Sequence, residues 1–203
     1  MICAPVVRAR ATYYVAMGLM DTQNGLGEQF HSADLRYLAD RGHEIAIHGF
    51  NHLSARNVPL DEFVEDVVKC ERAIHQRLPA GASKNFAYPY GQVTLRAKRR
   101  IGAQMGSSRS TLGGLNGPGV DLNLLRANSL YGDIDQVERV RQLVMKNQAR
   151  KSWLIFYSHD VAEKPSPCGC TPSLLEEAVS FVANQGMKVM TVAEVATRLC
   201  PTV

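Results

Sequence analysis

Short runs of β-branched and aromatic residues alternate along the chain with longer stretches in which apolar residues recur every three or four positions. The first pattern predicts strands and the second helices. Residues 11–15, Ala-Thr-Tyr-Tyr-Val, predict a strand. Ser32 then caps a predicted helix over 33–41 that stops at Gly42. Residues 44–48 predict the next strand. Pro59 precedes a long amphipathic helix over 60–78, with Phe63, Val67, Cys70 and Ile74 on one face. A strand over 85–89, a short basic helix over 93–101 and a strand over 103–107 follow. Beyond the glycine-rich loop 113–119, residues 124–128 predict a short strand and 134–150 a helix. Residues 152–159 are nearly continuous in apolar side chains and predict a strand buried on both faces. Thr171-Pro172 opens a helix over 173–184, and Gly186 ends it. Residues 188–190 predict a last strand, and Thr191 to Glu194 form a capping box for the final helix.

Strands and helices alternate without a linker, repeat or low-complexity segment. The pattern predicts one α/β domain over residues 1–203 with mostly parallel strands. An open doubly wound sheet and a barrel both fit. The barrel is favoured because no glycine-rich phosphate loop follows any strand. The 203 residues are 45% hydrophobic and 21% charged, which excludes a disordered or collagen-like chain. Lysine and arginine number 23 against 19 carboxylates, a net charge of +4, too weak to argue for nucleic acid. No apolar run approaches the roughly 20 residues of a membrane span. The first residues have no basic n-region and too short an apolar stretch for a signal peptide, so a cytoplasmic location is expected. Cys3, Cys70, Cys168, Cys170 and Cys200 are an odd set and read as reduced thiols. Cys168-Gly169-Cys170 is their only close pair, with no second pair at zinc-site spacing.

In parallel α/β folds ligands bind at the carboxyl ends of strands, so the chemistry is sought there. Three strand ends carry unusual polar groups. The first is Ile47-His48-Gly49-Phe50-Asn51-His52, where two histidines four apart can share a divalent metal. The alternative is two ordinary hydrogen-bonded histidines. The second is Phe86-Ala87-Tyr88-Pro89-Tyr90-Gly91, where proline and glycine make a sharp turn that can aim N–H groups and tyrosine rings into a cleft. The alternative is an ordinary strand-to-helix turn. The third is Tyr157-Ser158-His159-Asp160. There His159 can act as a general acid or be a structural histidine, and the strand period sends Asp160 to the opposite face.

In this order the three segments, with the closing stretch from Gly186 to Val195, resemble the polysaccharide deacetylase family, carbohydrate esterase family four. The resemblance runs from about residue 11 to the end. It implies a distorted β/α barrel and metal-dependent removal of N-acetyl groups from saccharides, with zinc as the usual divalent metal. It makes His48 and His52 the metal ligands and His159 the acid that protonates the leaving amine. It also places Tyr88 and Tyr90 in the substrate and oxyanion segment, with the Tyr90 N–H on the oxyanion.

The family's first motif, a strand ending in two aspartates, has no counterpart here: the first aspartate is Asp21, after the first predicted strand. The resemblance therefore implies a barrel whose first strand is missing, an N-terminally incomplete domain without its base and carboxylate ligand. Gly49 stands where the family has serine or threonine, and Ala87 where many members have arginine. Asp133 and Asp135 lie near the place of the fourth motif and are not assigned. The expected partner is an N-acetylated saccharide, with no nucleic acid or membrane and with self-association through the open barrel edge. Two other readings stay open: a C–N hydrolase of a non-sugar amide on the same fold, and a catalytically inactive binding homologue.

Overall fold

The computed structural model describes residues 9–78 and 81–199, so Cys3 and Cys200 lie outside the described residues. The chain divides into two compact units. One comprises residues 11–112, 120–126 and those from 191, and the other, within the described chain, 9–10, 113–119 and 127–190.

The first unit is built on a parallel sheet of β1 (Thr12–Val15), β4 (Glu44–Ile47), β5 (Asn85–Ala87) and β6 (Ser107–Arg109), paired in that order. A bridge from Arg109 to Leu125 extends it by one residue. A small hairpin, β2 (Gln23–Asn24) with β3 (Gly27–Glu28), follows β1. Three helices connect the strands: α1 (Ser32–Asp40), α2 (Leu60–His75) and α3 (Leu95–Gly102). The α1 cap is His31 rather than Ser32, and its backbone N–H donates to Asp34 at the third helical position. Residues 103–107 do not form the strand expected there. Ala103 and Met105 still donate to carbonyls of α3, and β6 begins only at Ser107, opposite Asn85.

Side chains alternate across a strand. Val15, Ile45, Ile47, Phe86 and Tyr88 share one core with Leu35 of α1, Phe63, Val67, Cys70 and Ile74 of α2, and Ala97 and Ile101 of α3. Each fully buried large apolar side chain there stabilises the unit by about 1.5–3 kcal/mol. The opposite face of the sheet is mixed, with Tyr14, Ala46 and Ala87 beside polar residues. Thr12, Glu44, Asn85 and Ser107 meet in one hydrogen-bonded cluster at its amino end. The guanidinium of Arg109 on β6 lies 4.7 Å from the ring centre of Tyr14 on β1. Those two strands are the ends of the pairing order, so the sheet curls toward this face.

The last helix of this unit, α6 (Val192–Leu199), starts with the expected capping box. Thr191 N donates to Glu194 Oε2 at 2.8 Å and Glu194 N to Thr191 Oγ1 at 3.3 Å. Val192 N donates to Thr12 Oγ1 at 2.8 Å and Ala193 N to Glu44 Oε2 at 2.9 Å, which fixes the helix to the starts of β1 and β4.

The second unit contains β7 (Asn128–Ser129) paired in parallel with β8 (Phe156–Tyr157), and helices α4 (Val137–Arg150) and α5 (Pro172–Asn184). Its core is Leu130, Val140, Val144, Cys170, Leu174 and Ala178. The apolar run 152–159 is not a long strand buried on both faces. Trp153 makes an isolated antiparallel bridge to Asn116, only two residues join the ladder with β7, and both are half-buried. Residues 188–190 are not a strand either: Lys188 and Val189 are exposed, and among the described residues the backbone joins no ladder. Cys70, Cys168 and Cys170 are free thiols.

Candidate active site

β4 ends at Ile47, and the chain turns so sharply over the next five residues that Gly49 takes φ +78° and His52 φ +57°. Only glycine adopts the first without strain, and the second costs a side-chain-bearing residue about 1–3 kcal/mol. The turn brings the two imidazoles together. His48 Nε2 and His52 Nε2 are 3.1 Å apart, with ring centres at 4.6 Å. His48 Nδ1 lies 2.7 Å from the carbonyl oxygen of Ala87, at the end of the neighbouring strand β5. A carbonyl only accepts, so Nδ1 carries the proton and Nε2 presents its lone pair toward His52.

Such a pair holds one proton or one cation between its rings. Zinc bonded to imidazole at about 2.0–2.1 Å in tetrahedral geometry spaces two nitrogens by about 3.3–3.4 Å, only a few tenths beyond the separation here. A backbone carbonyl on the far nitrogen is also the usual outer partner of a ligating histidine. The donor set therefore fits two ligands of a borderline metal. Among the described residues, no group of three or more His, Cys, Asp or Glu side chains gathers at one point.

Tyr90 completes this cluster. Its φ is +58°, its exposed ring stands edge-on to His52 with centres 4.6 Å apart, and Gly91 continues the turn at φ +64°. A β-carbon at Gly91 would lie 2.0 Å from Thr111 Oγ1, so that position admits no side chain. The Tyr88 ring does not face this site. Strand parity puts it beside Phe86, and it is fully buried against Phe86 and Phe63, with centres at 5.0 and 6.5 Å. Burial pushes its hydroxyl up to about 12.

His159 belongs to the second unit and is exposed, not at the end of a buried strand. Its backbone N–H donates to the Cys168 carbonyl at 3.0 Å, and its Nδ1 lies 3.2 Å from the same oxygen and 3.4 Å from the Tyr131 hydroxyl. A proton on Nδ1 serves the carbonyl and leaves Nε2 for chemistry. Tyr131 and Tyr157 frame the ring, and burial raises the Tyr131 hydroxyl above its ordinary value. Neither nearby carboxylate is placed as a base. Asp133 caps Ile134 and accepts from Thr171, bonds that lower it. Asp160 accepts from the backbone and hydroxyl of Ser166.

The sequence reading missed the Ala87 carbonyl, which has no sequence signal because any residue supplies one. It missed Tyr131, whose only trace is an aromatic just before Gly132.

Residues 7–108 match the polysaccharide deacetylase family, half of the chain. The chain belongs to that family. No curated protein matches it in sequence. Among solved structures it is similar to the chitin deacetylase of the fungal pathogen Colletotrichum lindemuthianum, with TM-score 0.60, 17% identity and coverage of 92% of this chain and 75% of that one. It is also similar to the Xyl-CE4 domain of a multidomain xylanase from the hindgut metagenome of Trinervitermes trinervoides, with TM-score 0.57, 14% identity and coverage of 97% and 80%. A Streptococcus pyogenes deacetylase, PplD, solved with acetate, matches with TM-score 0.53, 17% identity and coverage of 60% and 53%. Four relatives, this one among them, are covered over only 39–57% of their own lengths. At such identities the likeness shows the fold alone. That fold is mixed α/β with a parallel central sheet, in keeping with a distorted β/α barrel.

Proposed function

We propose that this polysaccharide deacetylase family member is a metal-dependent hydrolase that removes N-acetyl groups from a saccharide. The observation that carries the reading is the convergence of His48 Nε2 and His52 Nε2 at 3.1 Å, with His48 oriented by the Ala87 carbonyl. His48 and His52 would hold a divalent metal of the kind imidazoles favour, zinc by the family resemblance. Bound there, the metal supplies Lewis acidity to the acetyl carbonyl and to a water.

The residues of the chain do the rest. The left-handed turn at Tyr90 directs its backbone N–H to the oxyanion, where a preorganised donor is worth about 10²–10³-fold in rate. His159, protonated on Nε2, gives that proton to the departing amine, so acetate and a free amino sugar leave. The Cys168 carbonyl and the Tyr131 hydroxyl keep the His159 ring from turning.

The test is acetate release from N-acetylated oligosaccharides with zinc or cobalt added, against the same protein treated with chelator. Metal-dependent release is expected, and replacing His159 by Gln is expected to lower kcat by about 10²–10⁴-fold with metal affinity unchanged. Equal release with and without metal, or a full rate in His159→Gln, overturns the reading. Ammonia or a ring-opened product in place of acetate assigns the chain to another C–N bond.

A further inference from the structure

We infer that Asp66 is the positioning residue of the metal-binding turn and that Gly49 is its steric counterpart; the inference rests on the reading of His48 and His52 as metal ligands. Asp66 lies in α2, away from the histidines in sequence, and is buried at 5% exposure. Its carboxylate is spent on two of the three residues between them, Phe50 and Asn51. Oδ2 accepts from Phe50 N at 2.8 Å, and Oδ1 accepts from Asn51 N at 2.9 Å and from Asn51 Nδ2 at 2.8 Å. The Asp66 backbone carbonyl takes a second share of Phe50 N at 3.1 Å.

A buried carboxylate is costly unless its oxygens are hydrogen-bonded, and here three N–H donors meet that need. The same bonds hold the turn that places His52 at φ +57°, a conformation a histidine keeps only when its surroundings impose it. Gly49 belongs to the same device. A β-carbon there would lie 2.8 Å from Asp66 Oδ2, and the residue sits at φ +78°. The carboxylate fills the space a side chain at position 49 would need, which with the positive φ is the physical reason glycine suits that position.

Asp66 acts on the backbone between the two imidazoles, and its part is to fix their separation. Losing an outer partner of a metal site commonly costs about 10–100-fold in metal affinity. Asp66→Asn keeps the shape of the side chain but turns one acceptor into a donor facing an N–H. Asn51→Ala removes only the exposed amide's bond and leaves the buried carboxylate with two donors.

The experiment titrates zinc and cobalt into the wild type, Asp66→Asn and Asn51→Ala, with folding checked by circular dichroism. The His48 and His52 ring nitrogens are followed by ¹⁵N resonance in the metal-free protein. Expected are a drop of about 10–100-fold in affinity for Asp66→Asn, a smaller drop for Asn51→Ala, and altered ring-nitrogen signals in both before metal is added. If Asp66→Asn unfolds, Asn51→Ala alone carries the comparison. A folded variant with unchanged affinity and unchanged ring-nitrogen signals overturns the inference. If the signals change in the variants but the wild type binds no metal, the proposed function fails while the positioning role of Asp66 stands.

Discussion

The two ends of the four-stranded sheet in the first unit use polar residues in opposite ways. At the amino end Glu44 is buried and its carboxylate accepts from Thr12 Oγ1, Ser83 Oγ, Asn85 Nδ2 and Ala193 N. Asn85 passes the network on to Ser107. Here polar groups close on one another in ordinary backbone conformations. At the carboxyl end His48 and His52 converge on a point, and Gly49, His52, Tyr90 and Gly91 all have positive φ. One end spends its hydrogen bonds on holding strands and α6 together. The other accepts backbone strain in the turns that bring the two imidazoles and Tyr90 together. On the proposed function, the same sheet separates stability from chemistry along its own axis.

The largest expected break comes at the carboxyl end. His48→Ala and His52→Ala should each lower zinc affinity by more than the roughly 10–100-fold that an outer partner's loss costs. The metal-free melting temperature should barely move. Chelator competition and a thermal melt on the same samples check both halves, and equal affinity in either variant removes the site.

Glu44→Ala should do the reverse. It leaves four donors without their carboxylate, two of them on Thr12 and α6, and should destabilise the unit by about 3 kcal/mol. Zinc affinity of the folded fraction should stay within about twofold. Urea unfolding measures the first effect. A loss of metal affinity equal to that of the histidine variants would show that the two ends are coupled.

A smaller effect is expected from pH, acting on the core between the ends. Burial raises the Cys70 thiol from 9.0 to about 11 and the Tyr88 hydroxyl from 10.0 to about 12. Both stay protonated in the folded chain where the unfolded chain has lost the proton. Their contribution is therefore complete below about pH 9 and is lost as pH rises through 9–12. Unfolding midpoints across that window should fall for the wild type and fall less for Cys70→Ala.

Much of this was legible in the sequence where a local pattern had one meaning. Thr-Tyr-Tyr-Val and Glu-Ile-Ala-Ile became β1 and β4 because β-branched and aromatic runs fit a pleated sheet, and the spacing of Phe63, Val67, Cys70 and Ile74 became the buried face of α2. His48 and His52 met because a strand end followed by Gly49 leaves a turn as the available path. The failures share a cause. An apolar run does not state how many neighbours it has, so residues 152–159 looked like a central strand although, among the described residues, only Phe156–Tyr157 pairs with another strand. Tyr88 looked like a site residue from its motif, whereas its parity with Phe86 puts it in the core. Asp66 was invisible because its partners Phe50 and Asn51 are joined to it only through the fold.

The bond from Ala193 N to Glu44 spans 149 residues, and this sets an order of events during synthesis. Three of the donors to Glu44 are made by the time residue 85 emerges, but the fourth comes with α6. At about 5–20 residues per second the nascent sheet waits about 5–22 s for it. Through that interval the starts of β1 and β4 hold a buried carboxylate one donor short, and the first unit cannot reach its final stability until residue 193 has been translated. A stop codon shortly before residue 191 would therefore damage strands made long before it.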